Sequence, residues 1–360
     1  MSKALTVKRR QPPKKPQISE QLSMFRNFYG DSKDLSNTIE MWDAIPKYAV
    51  AGRIQASMRD EKGNLPLYEQ EFVYTPTYAN RPEPLHCKVI IQPVKIKNKD
   101  GTSTDYYPSA DEELVEEVLK KIFSDREFGE LAEHDPTQKK SKVWFTLNMV
   151  QKELKERGRT RSLDEIKQSI EILAKTVLEV GLLKDRSRRG LLYTGTILQD
   201  LTRLTREDYL IDPKQLWCAR LPEPISDSIN NISYRQFNYG TLMDLKSPLA
   251  RWFHKRLSHN YIQANHLNKY TISQTTIERD SGLVRHPRKD RRMAYVEGVL
   301  QELVEANVLE TFEAEKAPTN TGKRVLNVNY HLQPSFDFVQ EMKNANARNR
   351  DSQKGTVKLL

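Results

Sequence analysis

The segment Arg285-His286-Pro287-Arg288-Lys289-Asp290-Arg291-Arg292 gathers guanidinium groups just ahead of an apolar repeat, Met293, Val296, Leu300 and Leu303. At about 100° per residue those four positions share one helical face. Arg288, Arg291 and Tyr295 then point almost opposite to it, Arg292 sits on the flank, and Arg285 and Lys289 lie in or beside the preceding turn. A guanidinium on such a tip can grip guanine O6 and N7 with two hydrogen bonds, worth about 1–3 kcal/mol of discrimination per good pair. Lys316, Lys323 and Arg324 occupy a later polar turn, and lysines and arginines there suit phosphates, which set register without reading sequence. A second basic turn holds Arg186, Arg188 and Arg189, while Arg157, Arg159 and Arg161 precede a nearby helix. This second set is expected to touch phosphates with its rim or to face another protein.

Other chemistries lack their residues. Gly322-Lys323 would need a glycine at position 317 to complete a phosphate-binding loop, and that position is Ala317. The seven histidines include no pair separated by one residue, as a metal-dependent nickase requires, and His254, His259 and His266 do not share a helix face. Two cysteines, Cys87 and Cys218, cannot make a four-cysteine zinc site or a disulfide framework. Glu112-Glu113 and Glu116-Glu117 read as a solvated helix face, not a two-carboxylate site. Trp252 and Phe253 read as core. The expectation is a protein without catalysis, cofactor or metal.

The elements that must position these residues repeat once. In the first block, Val89–Val94 leads through the turn Lys99-Asp100-Gly101, which predicts a hairpin. A helix is predicted near Asp111–Phe123, a strand over Val143–Thr146 and a helix over Leu147–Arg157. Ser162-Leu163-Asp164-Glu165 is a capping box, in which Ser and Glu each satisfy a free backbone N–H. The helix it opens places Leu163, Ile166, Ile170, Leu173 and Val177 on one face, with Ile172 pointing away. Strands over Leu178–Leu183 and Leu191–Leu198 flank the basic turn. The second block runs from a helix near Pro248–Ser258 through a strand, Lys269–Ile272, and a short helix ending at Ser281-Gly282. The arginine-tipped helix follows, then strands over Val308–Glu313 and Val325–Leu332. Leu221-Pro222-Glu223-Pro224 reads as a linker. Helix, helix, helix, strand, turn, strand is the order of a winged helix.

Charge agrees with a polyanionic partner. The 360 residues carry 58 Lys+Arg against 48 Asp+Glu, a net charge of +10 and a pI of about 9.3. Residues 111–134 hold nine acids against three bases, and 135–190 hold fourteen bases against eight acids, so an acidic face lies next to a basic one. No apolar run approaches the roughly 18 residues that span a bilayer, and no secretory signal opens the chain. Residues 1–20 hold six Lys/Arg, one acid and three prolines, which predicts a disordered basic arm.

The stretch from Ile232 to His259 (ISYRQFNYGTLMDLKSPLARWFHKRLSH) resembles the start of the second winged helix of iteron-type plasmid replication initiators. So does the sequence that follows, from Tyr270–Ile272 through Asp280-Ser281-Gly282-Leu283 to Leu300–Leu309. The hairpin and acidic helix near 89–123 are similar to the opening of their first domain, and the likeness covers roughly residues 85–335. It implies binding to direct repeats in origin DNA, opening of a neighbouring AT-rich segment, recruitment of the host initiator and replicative helicase, and a monomer–dimer equilibrium that controls copy number. Gln21-Leu22-Ser23-Met24-Phe25 is similar to the pentapeptide that docks proteins on the bacterial sliding clamp. Leu22, Met24 and Phe25 suit an apolar pocket and Gln21 its mouth. Single-stranded origin DNA is the other candidate for this peptide.

The reading that results is α+β: a flexible arm (1–40), a first winged helix (85–221) for dimerisation and phosphate contacts, a second (222–340) that reads sequence, and a polar tail (341–360). The expected protein is a cytoplasmic, plasmid-associated replication initiator that binds double-stranded origin DNA. A two-domain winged-helix transcriptional repressor is the alternative.

Overall fold

The computed structural model describes residues 35–76, 83–98, 100–124, 129–135, 138–184, 188–203, 216–230, 234–261, 265–318 and 325–357. They form a mixed α+β structure with eleven helices and five small antiparallel sheets among the described residues. The chain opens with β1 (Leu35–Ile39), α1 (Glu40–Ala44), α2 (Gly52–Met58), β2 (Tyr68–Tyr74) and β3 (Leu85–Ile91). The hairpin β4 (Val94–Lys97) and β5 (Ser103–Tyr106) leads to α3 (Ala110–Ser124). Then come β6 (Gly129–Asp135), β7 (Gln138–Phe145), α4 (Leu147–Glu156), α5 (Leu163–Lys175), β8 (Val177–Lys184) and β9 (Arg188–Thr196). β10 (Gln199–Thr202), β11 (Trp217–Arg220), α6 (Glu223–Asn230), β12 (Tyr234–Asn238) and α7 (Tyr239–Asp244) follow. The rest is α8 (Pro248–Asn260), β13 (Tyr270–Ser273), α9 (Gln274–Ser281), α10 (Lys289–Glu305), β14 (Leu309–Pro318), β15 (Val325–Pro334) and α11 (Phe336–Val357).

Two large apolar clusters divide most of the packing, with a small third one under the β4–β5 hairpin. The first runs from Ile39 to Met243 and the second from Leu245 to Met342. In the second, helix, strand, helix, helix, strand, strand appear in that order, and the sheet is β13-β15-β14. Ile272, Val328, Tyr330 and Leu332 bury one face of that sheet against Phe253, Val296 and Leu300. In the first, β7 does not join β8 and β9. It pairs with β6 and β11, while β8 and β9 extend the sheet β2-β3-β8-β9. The register explains the choice: Val89 faces Val180 and Ile91 faces Leu178, four buried apolar side chains on one face. The Ser162–Glu165 capping box forms as expected, Ser162 Oγ accepting the Glu165 N–H and Glu165 the Ser162 N–H.

Several expectations are corrected. Residues 35–40, placed in the arm, form β1 and the start of α1; β1 pairs with β12, and Ile39 and Trp42 are buried. Pro222–Pro224 is no linker. It opens α6, whose Ile225 is buried and whose Ser226 hydroxyl accepts the Ser141 N–H, so the stretch belongs to the first cluster. The polar tail is helical as far as it is described: α11 runs to Val357 and buries Met342 and Ala345, with Phe338 and Val339 just ahead of the tail. Its Glu341 accepts a hydrogen bond from the Asn238 amide of β12 at 2.9 Å. Ile172 is buried with Val94 and Ile96 under the β4–β5 hairpin, while Leu163 is exposed and Val177 starts a strand. Residues 1–34, with the pentapeptide Gln21–Phe25, lie outside the described residues.

Candidate nucleic-acid interface

The arginine cluster sits where α9 turns into α10. Ser273 caps α9 by accepting the Thr276 N–H at 3.2 Å, and Gly282 ends it in the left-handed region, φ +62°. Only a residue without a side chain suits that position: a Cβ there would lie 3.0 Å from the Ala49 Cβ and 3.1 Å from the Gln70 Oε1. The chain then passes buried Val284 and reaches Arg288, which is the residue before α10 and not part of its first turn. Val296, Leu300 and Leu303 are buried in the core, as the spacing predicts, with Val299 added and Met293 only half-buried against it.

The predicted contact residues fall into three groups. Arg288, Arg291 and Lys316 are exposed. Arg291 has no ion-pair or hydrogen-bond partner for its guanidinium among the described residues. Arg288 forks onto Asp290, Nε to Oδ1 at 3.1 Å and Nη2 to Oδ2 at 2.6 Å, and holds that carboxyl below the usual range through the hydrogen bonds and its charge. Such an exposed pair is weak and yields readily to a phosphate or a base edge. Arg292, half-buried, and Arg285, exposed, are both engaged by other parts of the protein. Arg292 donates to Glu278 at 2.8 Å and to the His286 carbonyl at 2.8 Å, bracing α10 on α9. The Arg285 guanidinium lies 4.7 Å over the Tyr68 ring of β2 and donates to the Tyr68 hydroxyl and the Gly282 carbonyl. Lys289 is half-buried and engaged, and Tyr295 lies 3.3 Å from the Ser247 hydroxyl.

The hairpin after α10 is less basic than the sequence suggests. Lys316 follows Glu313 and Glu315 on β14, which pair with Lys269 at 2.9 Å and His331 at 3.2 Å. Lys323, Arg324 and Arg186 lie outside the described residues, and Arg188 and Arg189 open β9. The first-block rim is corrected. Arg157 lies 5.2 Å over the Tyr239 ring and Arg159 donates to the Met243 and Leu245 carbonyls, so these two are engaged within the protein, while Arg161 forms an exposed pair with Asp111.

The largest departure is α3. Glu112, Glu113, Glu116 and Glu117 are not a solvated face but buried, Glu117 to 0% exposure. Arg251 Nε of α8 donates to Glu113 at 2.9 Å, and Lys255 Nζ reaches Glu113 at 3.3 Å and Glu117 at 2.7 Å. Lys120 joins Glu117 at 2.7 Å to Asp43 of α1 at 3.2 Å, and Lys47 lies 3.7 Å from Glu116. Burial alone raises the Asp43 and Glu113 carboxyls, but the surrounding lysines, with Arg251 for Glu113, outweigh it and hold both below the usual range. Ionised pairs inside a protein are tolerated only when each charge has such partners. His254 and His259 of α8 lie in this buried region. Both are buried, and desolvation pushes each down to about 3. No local pattern marks these contacts, since the partners lie in three separate helices and the loop after α1; the signal available was a helix whose acids are matched by Arg251 and Lys255 elsewhere. A mixed polar cavity of about 300 Å³ lies between α2, α3 and α5 and includes Arg161, Glu112 and Ser169. No group of three metal-ligating side chains occurs among the described residues, and no described helix is long and apolar enough to cross a membrane.

No family model matches the chain, and no curated protein matches it. Among solved structures, the chain is similar to domains 2–3 of RctB, with 12% identity and a TM-score of 0.43 over 82% of this chain and 100% of that one. A selenomethionine form of the same two domains gives 10% identity and 0.43 over 82% and 98%. The Pi initiator protein in complex with iteron DNA gives 9% identity and a TM-score of 0.35 over 85% of this chain and 100% of that one.

Proposed function

We propose that this protein is a plasmid DNA replication initiator that binds repeated duplex sites at its origin and reads them with α10. The observation that carries the reading is the tip of α10. A capped helix, a tight glycine turn and a second helix present exposed Arg288 and Arg291 ahead of a β-hairpin, which is the arrangement that enters a major groove. Each half is a winged helix in this reading, and the boundary falls between Met243 and Leu245, where the apolar clusters divide. Lys316, with Lys323 and Arg324, supplies phosphate contacts. The first half supplies dimerisation and further phosphate contacts from Arg186, Arg188 and Arg189. The protein acts in the cytoplasm without catalysis, opens the adjoining strands, and recruits the host initiator and helicase. Gln21–Phe25 engages the sliding clamp.

Footprinting of the purified chain on the DNA flanking its own gene tests the reading. Evenly spaced direct repeats are the expected result; a single inverted repeat would make the protein a repressor instead. The clamp contact is tested by replacing Leu22 and Phe25 with Ala. Clamp pull-down is then lost while duplex affinity stays at the wild-type value, and loss of both together would give the segment a structural role.

A further inference from the structure

Residues 245–247 join α7 to α8 and so carry the chain from one apolar cluster to the other. Three charged side chains from three elements converge on the backbone around them. Arg159 donates from Nη2 to the Leu245 carbonyl at 2.6 Å and from Nε and Nη2 to the Met243 carbonyl at 3.2 and 3.1 Å. Arg251 Nη1 donates to the same Leu245 oxygen at 3.1 Å and to the Lys246 carbonyl at 3.3 Å. Glu302, in the last turn of α10, accepts the Lys246 and Ser247 N–H groups at 2.6 and 3.1 Å.

The aim of Arg159 is set locally. α4 ends in a Schellman turn: the Gly158 N–H donates to the Lys155 carbonyl at 3.0 Å and the Arg159 N–H to the Leu154 carbonyl at 2.8 Å, with Gly158 at φ +69°. The reversed chain points the Arg159 guanidinium at the C-terminus of α7. Carbonyls there have no partner within the helix, and a planar fork can take two of them.

We propose that Arg159 is a positioning residue for DNA reading: it fixes the connector, and through Glu302 the angle of α10, without touching DNA. The proposal rests on α10 being the reading helix. Glu302 lies near one end of a 17-residue helix and Arg288 just beyond the other. At 1.5 Å per residue the 14 residues between them make a lever of about 21 Å, and a tilt of about 5° moves the tip by roughly 2 Å, enough to lose a hydrogen bond to a base edge. β2 steadies the tip end, with the Val73 N–H on Asp280 at 2.9 Å and the Gln70 amide on the Arg279 carbonyl at 2.9 Å. The connector steadies the other.

The test uses the full chain with Arg159→Ala, Glu302→Ala and the double variant. Affinity for a repeat-bearing duplex and for an unrelated duplex is read by fluorescence anisotropy over a range of salt. The expected result is a fall of about tenfold in the ratio of the two affinities, with the salt slope unchanged because no phosphate contact is lost. The double variant falls no further than Arg159→Ala, since both act through one strap. Glu302→Ala keeps a good helix former, so it carries the same expectation should Arg159→Ala fail to fold. A slope lowered by about 0.9 would make Arg159 a phosphate contact and overturn the proposal. An unchanged ratio would reduce Arg159 to a helix cap. A wild-type chain with no preference among duplexes would instead overturn the reading-helix assignment, and this proposal with it.

Discussion

The Arg251 guanidinium, 1% exposed, lies 2.9 Å from the Glu113 carboxylate and joins α8 to α3 from inside the protein. The two residues are 138 positions apart in sequence and stand on helices whose apolar side chains belong to different clusters. Each carries a second contact to the surroundings: Glu113 accepts from Lys255 and Arg251 reaches the connector carbonyls. Both side chains are buried, so removing either leaves the other short of its nearest counter-charge.

Removing one partner is therefore costly. Arg251→Ala or Glu113→Ala is expected to lower unfolding stability by about 3 kcal/mol, because the remaining buried charge loses its nearest counter-charge, Glu113 keeping Lys255 at 3.3 Å and Arg251 keeping backbone carbonyls. Arg251→Met combined with Glu113→Leu is expected to lose less than either single change, as both charges then leave together. Urea denaturation at pH 7 measures all three. Equal, additive losses would mean that the pair contributes nothing jointly.

Acid should unfold the protein earlier than its carboxylates require. His254 and His259 ordinarily titrate near 6.5 and are pushed down to about 3 by burial. Between those values the unfolded chain binds the protons and the folded chain does not. Stability is thus fully present above pH 6.5 and falls as pH drops, by about 1.4 kcal/mol per unit for each histidine. The depressed carboxyls Asp43 and Glu113 add to the loss only in the acid range below. His254→Gln is expected to halve the slope between pH 6 and 5, read from urea midpoints. An unaltered slope would assign it to other groups.

What the sequence made legible follows from the range of the forces involved. The capping box at Ser162, the Gly282 turn and the α10 face each depend on residues within about four positions of one another, and each formed where periodicity and turn chemistry put it. Local rules reached no further. Charged residues in an amphipathic pattern look alike whether water or another charge faces them, so Glu113, Glu116 and Glu117 read as solvated although their cations stand on α3, on α8 and in the loop after α1. The same blindness made rim contacts of Arg157 and Arg159. It also made a linker of Pro222–Pro224, because proline opens a helix as readily as it breaks one. Strand pairing was hidden for the same reason: β8 joins β3, about ninety residues earlier, through matched apolar registers that no local window contains.

Gly282 should tolerate no side chain. Its φ of +62° disfavours any L residue, and an added Cβ would meet Ala49 and Gln70 at 3.0 and 3.1 Å. Gly282→Ala is expected to destabilise by about 1–2 kcal/mol for the backbone alone, with crowding in addition. Thermal melting measures the loss. Since Gln70 holds the Arg279 carbonyl, the variant should also weaken sequence-specific binding more than non-specific binding. A stable variant with wild-type specificity would show that β2 and this turn can move apart freely.

Arg291 and Arg292 are neighbours with opposite assignments, and their substitution separates DNA contact from structural bracing. Arg291 is exposed with no partner among the described residues, whereas Arg292 holds Glu278 and two turn carbonyls. Arg291→Ala is expected to leave the melting temperature unchanged and to weaken binding to the specific duplex about ten- to hundredfold, with relaxed preference at one base position. Arg292→Ala should lower the melting temperature, because Glu278 loses its cation and the first turn of α10 its tie to α9. Its effect on DNA should then be partly restored by Arg292→Lys, which keeps the charge near Glu278 but not the fork. The two observables sort the outcomes. Weakened binding with an unchanged melt at both positions would make Arg292 a contact residue that leaves Glu278 when DNA arrives. An unchanged affinity at Arg291 would take the outward face of α10 out of the duplex, and with it the reading proposed for this protein.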